Sequence, residues 1–71
     1  MGYPSLDDCK TLGDHIRRMR LKHGLRQNDV APRLGVNSWT LRNWEHNRTE
    51  PSVRYYSAIM DFLGYCPYHR A

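Results

Sequence analysis

Apolar residues recur every three or four positions along this 71-residue chain, in four stretches separated by turn residues. No stretch alternates apolar and polar residues over the length of a strand, whereas the recurring period is that of a helix. The pattern therefore predicts an all-α fold of four helices. They span about residues 11–23, 27–34, 38–46 and 52–63.

Capping and turn residues mark where these helices begin and end. Thr11 with Asp14 three positions later is a capping-box-like start for the first helix, and Ser52 is a suitable N-cap for the fourth. Gly35 and Asn47 follow the second and third helices, where residues that tolerate left-handed backbone reverse the chain. The boundaries therefore rest on local chemistry as well as on period.

One residue conflicts with the predicted second helix. Pro32 would lie past its first turn, where proline has no amide hydrogen for the Asn28 carbonyl and crowds that carbonyl. We therefore expect either a bent helix or a helix that begins later than Gln27.

The third helix carries two tryptophans five positions apart, and they cannot share one side. At about 100° per residue, Leu41 and Trp44 lie together, while Trp39 and Asn43 lie on the opposite side with Arg42 on its flank. This predicts Trp44 in the core and Trp39 outside. Because an exposed tryptophan gains nothing from water, the outer side is expected to meet a partner.

Charge narrows the choice of partner. The formal net charge is +4, but residues 15–54 alone carry nine basic residues, eight of them arginine, against three acidic ones. Arginine forms forked hydrogen bonds with phosphate and guanine, so an anionic partner such as nucleic acid fits this segment. An ordinary solvated basic surface would have the same composition, and 71 residues allow only one small domain.

Several short motifs at consistent spacing resemble the Cro and lambda-repressor type of helix-turn-helix domain, also called XRE-like, over about residues 11–64. The motifs are R-x-x-R-x-x-x-G-L ending the first helix, Gln27, Leu34-Gly35-Val36, Trp44-Glu45 and Glu50-Pro51-Ser52. The resemblance implies a compact four- to five-helix, lambda-repressor-like fold. Residues 1–10 would then be an N-terminal arm and residues 65–71 a C-terminal tail.

The resemblance also assigns roles by position. The third helix would enter the major groove, and its base-reading residues would be Ser38, Trp39, Arg42 and Asn43. Contacts to DNA phosphate would come from Gln27, Asn37, Asn47, Arg48 and Thr49. Arg20 and Glu45 match a buried ion pair that ties the first helix to the third.

These roles imply a transcriptional regulator that binds double-stranded DNA in a sequence-specific manner, at a palindromic operator. A second apolar stripe on the fourth helix, made of Tyr55, Ala58 and Phe62, needs a cover, either from the tail through Tyr65 and Tyr68 or from a second subunit in a homodimer. The alternative is an antitoxin-like or regulatory protein-interaction module on the same scaffold, with weak DNA binding.

Other chemistry finds little support. No paired carboxylates, phosphate loop or activated nucleophile occur, so we expect no enzyme activity, cofactor or small-molecule ligand. No apolar run could cross a membrane, which favours a cytoplasmic protein that associates with the nucleoid when bound to DNA. Cys9, His15, Cys66 and His69 could supply four zinc ligands, but coincidence is the better interpretation of this spacing. Both cysteines are expected to be free thiols.

Overall fold

A computed structural model describes residues 3–67, and within that range the chain forms four α-helices, two short 3₁₀ turns and no strand. The all-α prediction is therefore confirmed. The helices are α1 Leu12–Lys22, α2 Gln27–Leu34, α3 Ser38–Glu45 and α4 Tyr56–Leu63, and the 3₁₀ turns are Leu6–Asp8 and Val53–Tyr55.

The start of α1 is a complete capping box. The Thr11 hydroxyl oxygen accepts a hydrogen bond from the Asp14 amide at 3.1 Å, and Asp14 Oδ2 accepts from the Thr11 amide at 3.3 Å. The same carboxylate oxygen accepts from the Lys10 amide at 2.9 Å. Backbone donors that would otherwise be unpaired are thus satisfied by one side chain.

Pro32 lies inside α2, which nevertheless begins at Gln27 and ends before Gly35, where the backbone turns left-handed at φ 76°. The later start considered from the sequence is therefore wrong. Pro32 and Asn28 are both exposed, so water can bind the Asn28 carbonyl that the proline leaves without a partner.

The sequence correctly placed both ends of α3. Asn37 Oδ1 accepts a hydrogen bond from the Thr40 amide at 2.8 Å, as an N-cap does. Asn47 has a φ of 62° and is the one non-glycine residue with left-handed backbone in the described range. It reverses the chain just after the helix.

The beginning of α4 departs from the prediction. Ser52 makes no side-chain capping bond, and the three-residue turn Val53–Tyr55 comes before the α-helix, which begins only at Tyr56. The Tyr55 ring lies 5.3 Å from the Trp44 ring, centroid to centroid, at a 60° tilt. Part of the second apolar stripe therefore packs against the core of its own chain.

The core sits where α1 and α2 each pack against both α3 and α4. Its members come from all four helices and are buried: Leu12, Ile16, Met19, Val30, Ala31, Leu34, Leu41, Trp44, Ile59 and Leu63. Among residues 3–67, no helix is long and apolar enough to cross a membrane.

Candidate nucleic-acid interface

Two buried side chains fix the rotation of α3 about its own axis. Leu41 is fully buried and Trp44 is 3% exposed, so both point into the core. Trp39, on the opposite side, is 70% exposed. Burial of the apolar side therefore decides which side chains face outward.

The outward side of α3 presents Trp39, Arg42 and His46, all three exposed, and we call this set the reading face. The spacing of three and four residues aligns them along the helix. The Arg42 guanidinium makes no ion pair or hydrogen bond with any other described residue, so its five N–H donors remain available to a ligand. Ser38, in the first turn, is half-buried.

Asn43 does not belong to this face, contrary to the sequence expectation. Asn43 is only 7% exposed. The Arg48 amide donates to the Asn43 carbonyl at 2.9 Å, a bond that closes the end of α3 across the left-handed turn at Asn47. Helical period alone could not show that Asn43 is buried. Asn43 is therefore withdrawn as a base-reading residue.

Arg20 and Glu45 join α1 to α3. Arg20 Nε donates to Glu45 Oε2 and Arg20 Nη2 donates to Glu45 Oε1, each at 2.8 Å. The side chains are 12% and 1% exposed. A third bond, from Arg20 Nη1 to the Leu25 carbonyl at 3.0 Å, ties the pair to the α1–α2 turn. Both charges are thus paired and hydrogen-bonded, as burial requires.

Gln27 also reaches this ion pair. Its Nε2 donates to Glu45 Oε1 at 3.3 Å, and the residue is half-buried at the first position of α2. The amide expected to contact phosphate is therefore oriented by the carboxylate that also holds Arg20. In the same first turn of α2, Asp29 accepts from the Arg26 amide at 2.8 Å, and the hydrogen bonds from Arg26 lower the pKa of the Asp29 carboxyl.

The remaining residues expected at phosphate fall into two groups. Asn37, Arg48 and Thr49 are exposed on either side of α3. Asn47 is instead engaged within the chain: its Oδ1 accepts from the Thr11 hydroxyl at 2.6 Å and its Nδ2 donates to Asp14 Oδ1 at 3.1 Å. Because both ends of its amide already have partners, Asn47 is withdrawn as a phosphate-binding residue.

Gly13 is a contact residue that the sequence interpretation missed. A Cβ atom at this position would overlap the backbone carbonyl of Trp44, so only glycine lets α1 approach α3 this closely. A signal was available, since glycine in a helix costs about 1 kcal/mol relative to alanine and calls for a packing reason.

A metal site is not formed by the part of the chain that the structure describes. No three His, Cys, Asp or Glu residues in it group around a common point. His69, one of the four zinc candidates weighed from the sequence, lies outside the described residues. Cys9 and Cys66 are free thiols, and burial, more than the nearby Asp14 carboxylate, raises the pKa of Cys9.

A family model for helix-turn-helix domains matches residues 16–68, which is most of the chain. The chain belongs to this family. Within this helix-turn-helix domain of the XRE and lambda-repressor type, α2, the turn at Gly35 and α3 form the motif itself. The family is one of DNA-binding regulators that are typically not enzymes. Searches among curated proteins and among solved structures gave no match.

Proposed function

We propose that this helix-turn-helix domain binds double-stranded DNA in a sequence-specific manner and regulates transcription, with α3 in the major groove. The reading face is the observation that carries the proposal. Trp39, Arg42 and His46 project from a helix whose other sides are tied to the fold. An exposed face with a large aromatic, an unpaired arginine and a histidine suits base edges better than bulk water.

The length of the reading face suggests what it reads. Seven residues separate Trp39 from His46, or about 10 Å of helix at 1.5 Å per residue. That is the rise of about three base pairs of duplex DNA. Arg42, in the middle, is suited to a bidentate contact with guanine, and the Trp39 ring to a thymine methyl. Ser38, a half-buried residue in the first turn of α3, is a further candidate at the groove.

Phosphate contacts would flank that face. The Gln27 amide and the N-terminus of α2 would supply some of these donors, and Asn37, Arg48 and Thr49, which are exposed before and after α3 in the chain, would supply others. Such contacts carry no sequence information, but they set affinity and make it depend on salt.

Homodimerisation on a palindromic operator is part of the proposal. Tyr55, Ala58 and Phe62 are all half-buried and pack against the core, so a second subunit would cover the part of each that stays exposed. Tyr68, the other tail residue expected there, lies outside the described residues. Sedimentation equilibrium with and without operator DNA would test it, and a monomer in solution whose two copies occupy the half-sites independently would contradict it.

The deciding experiment is selection of bound sequences from a random duplex library, followed by affinity measurement over a range of salt. We expect a short consensus with dyad symmetry, and a plot of log affinity against log salt that falls steeply. Arg48→Ala should weaken binding to all sequences alike and reduce the slope by about one. A library without enrichment at low salt would contradict the proposal.

The second candidate is a protein-interaction module, antitoxin-like or regulatory, with weak DNA binding. This function is supported by Trp39, which is 70% exposed, because tryptophan is enriched among the residues that contribute most to binding at protein interfaces. A tight protein partner whose binding is lost in Trp39→Ala, together with no DNA consensus, would favour this function over the first.

A further inference from the structure

Asn47 occupies an unusual position at the end of α3. It has left-handed backbone, which glycine adopts most easily, yet it carries a side chain whose two polar atoms both bond to the start of α1. Its partners, Thr11 and Asp14, are the two residues of the α1 capping box. A simple turn would need none of these contacts.

We infer that Asn47 is a positioning residue that fixes the C-terminal end of α3 against the capped start of α1, and thereby sets the angle at which the reading face meets DNA. This inference rests on the proposed function. The last two residues of α3 are also held by α1, Trp44 through the close approach of Gly13 to its carbonyl and Glu45 through Arg20. Asn47 adds a hydrogen-bonded contact beyond the last turn, next to His46.

The Asp14 carboxylate connects this contact to the segment before α1. Its Oδ1 accepts from Asn47, while its Oδ2 accepts from the backbone amides of Lys10 and Thr11. Burial would raise the pKa of Asp14, but the hydrogen bonds from Lys10, Asn47 and Thr11 together lower it below its ordinary value. The charged form therefore holds both attachments at neutral pH.

The hydrogen bonds of Asn47 to Thr11 and Asp14 are exposed, unlike contacts that stabilise a fold by burial. Asn47 and its hydrogen bonds are accessible to water, which can replace each bond when it is lost. We therefore expect the contact to contribute little to the free energy of unfolding. Base recognition is more sensitive, because reading groups need to be held to about half an ångström.

The test uses Asn47→Gly in the full chain, since glycine keeps the left-handed turn and removes both side-chain bonds. We expect a melting temperature close to that of the wild type, and a loss of about tenfold in affinity for the selected operator, the effect of one misplaced hydrogen bond to a base. Affinity for non-specific duplex should stay unchanged, because the net charge is the same. Ser57→Ala, at an exposed position on α4, is the matched control and should change neither affinity.

Two further variants separate the two bonds. Thr11→Ser keeps the hydroxyl and should behave as wild type. Asn47→Asp keeps an acceptor for Thr11 but replaces the donor to Asp14 by a second carboxylate, and should lose operator affinity at least as strongly as Asn47→Gly. Equal loss of specific and non-specific affinity in Asn47→Gly, which leaves the net charge unchanged, would overturn a positioning role.

A second readout keeps this inference separate from the proposed function. Residual dipolar couplings of the DNA-free protein give the angle between α1 and α3, and Asn47→Gly should change that angle while Thr11→Ser does not. If the wild type selects no consensus, the proposed function fails, and the angle still decides the role of Asn47. An unchanged angle together with unchanged operator specificity overturns the inference.

Discussion

Arg20 meets Glu45 side-on, through two parallel N–H···O bonds of 2.8 Å each, across the contact between α1 and α3. With Glu45 removed, the Arg20 charge would stay in a site where its side chain is only 12% exposed. We predict that Glu45→Ala lowers the free energy of unfolding by about 3 to 5 kcal/mol, as for a buried charge that loses its partner. Urea denaturation followed by circular dichroism measures it.

The matched control for this ion pair is Arg26→Ala. Its partner Asp29 lies 3.4 Å away, and the two side chains are 84% and 38% exposed. Removing such a surface pair should leave the denaturation midpoint almost unchanged. Similar losses in the two variants would contradict the claim that burial distinguishes the pairs.

Gly13→Ala is predicted to destabilise the domain although it adds a single methyl group. That methyl would overlap the Trp44 carbonyl, which is backbone and cannot rotate away. We expect a loss of at least about 1 to 3 kcal/mol, the usual cost of overpacking, despite the better helix propensity of alanine. Arg17→Ala, an exposed position on the same helix, should leave the denaturation midpoint almost unchanged.

Substitution of the two tryptophans should affect stability very differently. Trp44→Ala is expected to cost about 3 to 5 kcal/mol and can unfold so small a domain. Trp39→Ala should leave stability nearly unchanged, because the side chain is 70% exposed. Fluorescence provides the check: acrylamide should quench Trp39 strongly and Trp44 weakly. If both were quenched equally in the folded protein, the assignment of core and surface would be wrong.

Arg42→Ala should separate specificity from stability. Arg42 is exposed and unpaired among the described residues, so the melting temperature should stay within error of the wild type. Discrimination at one base pair should weaken by about 1 to 3 kcal/mol. Competition binding with operators altered one base pair at a time measures this. A large fall in melting temperature would instead give Arg42 a structural role.

The lowered pKa of His15 predicts that the free energy of unfolding falls at acid pH. Burial, more than the opposing attraction of Asp14, lowers its pKa, and the Arg18 charge lowers it further. The Tyr65 hydroxyl lies 2.8 Å from Nδ1. As pH falls, the His15 imidazole is protonated in the unfolded chain before it is protonated in the folded one. The contribution of neutral His15 to the free energy of unfolding is therefore complete above the ordinary histidine range and is lost as pH falls below it.

Denaturation midpoints at about pH 7.5 and 5.5, on either side of the ordinary histidine range, would show this loss. His15→Phe should reduce the difference between the two midpoints. His46→Gln is the matched control, because that residue is exposed on the reading face. An undiminished difference in His15→Phe would assign the acid response to another group.

The sequence predicted those features that depend on local chemistry. The capping box at Thr11, the N-cap at Asn37 and the left-handed turns at Gly35 and Asn47 each follow from the hydrogen bonding or backbone freedom of one or two residues. The inward side of α3 followed from helical period. These are properties of neighbours in the chain, so the sequence is sufficient for them.

What the sequence missed depends on contacts between distant segments. Asn43 was expected on the outer side because helical period gives the direction of a side chain around α3 but not what packs there, and the residue is only 7% exposed. The side chain of Asn47 was assigned to phosphate because its partners lie 33 and 36 positions earlier. The same limit applied to Tyr55, whose packing on Trp44 depends on a 3₁₀ turn that the apolar pattern did not indicate.

On α3, the residues that hold the fold and the residues of the reading face do not overlap. Leu41, Trp44 and Glu45 point inward, and Trp39 and Arg42 point out. Because stability and base preference are carried by different side chains, a few changes at the exposed positions could redirect such a domain to a new operator while the rest of the scaffold stays constant. Libraries randomised only at those positions would therefore yield folded proteins, and an evolving lineage could explore new regulatory targets without first losing its fold.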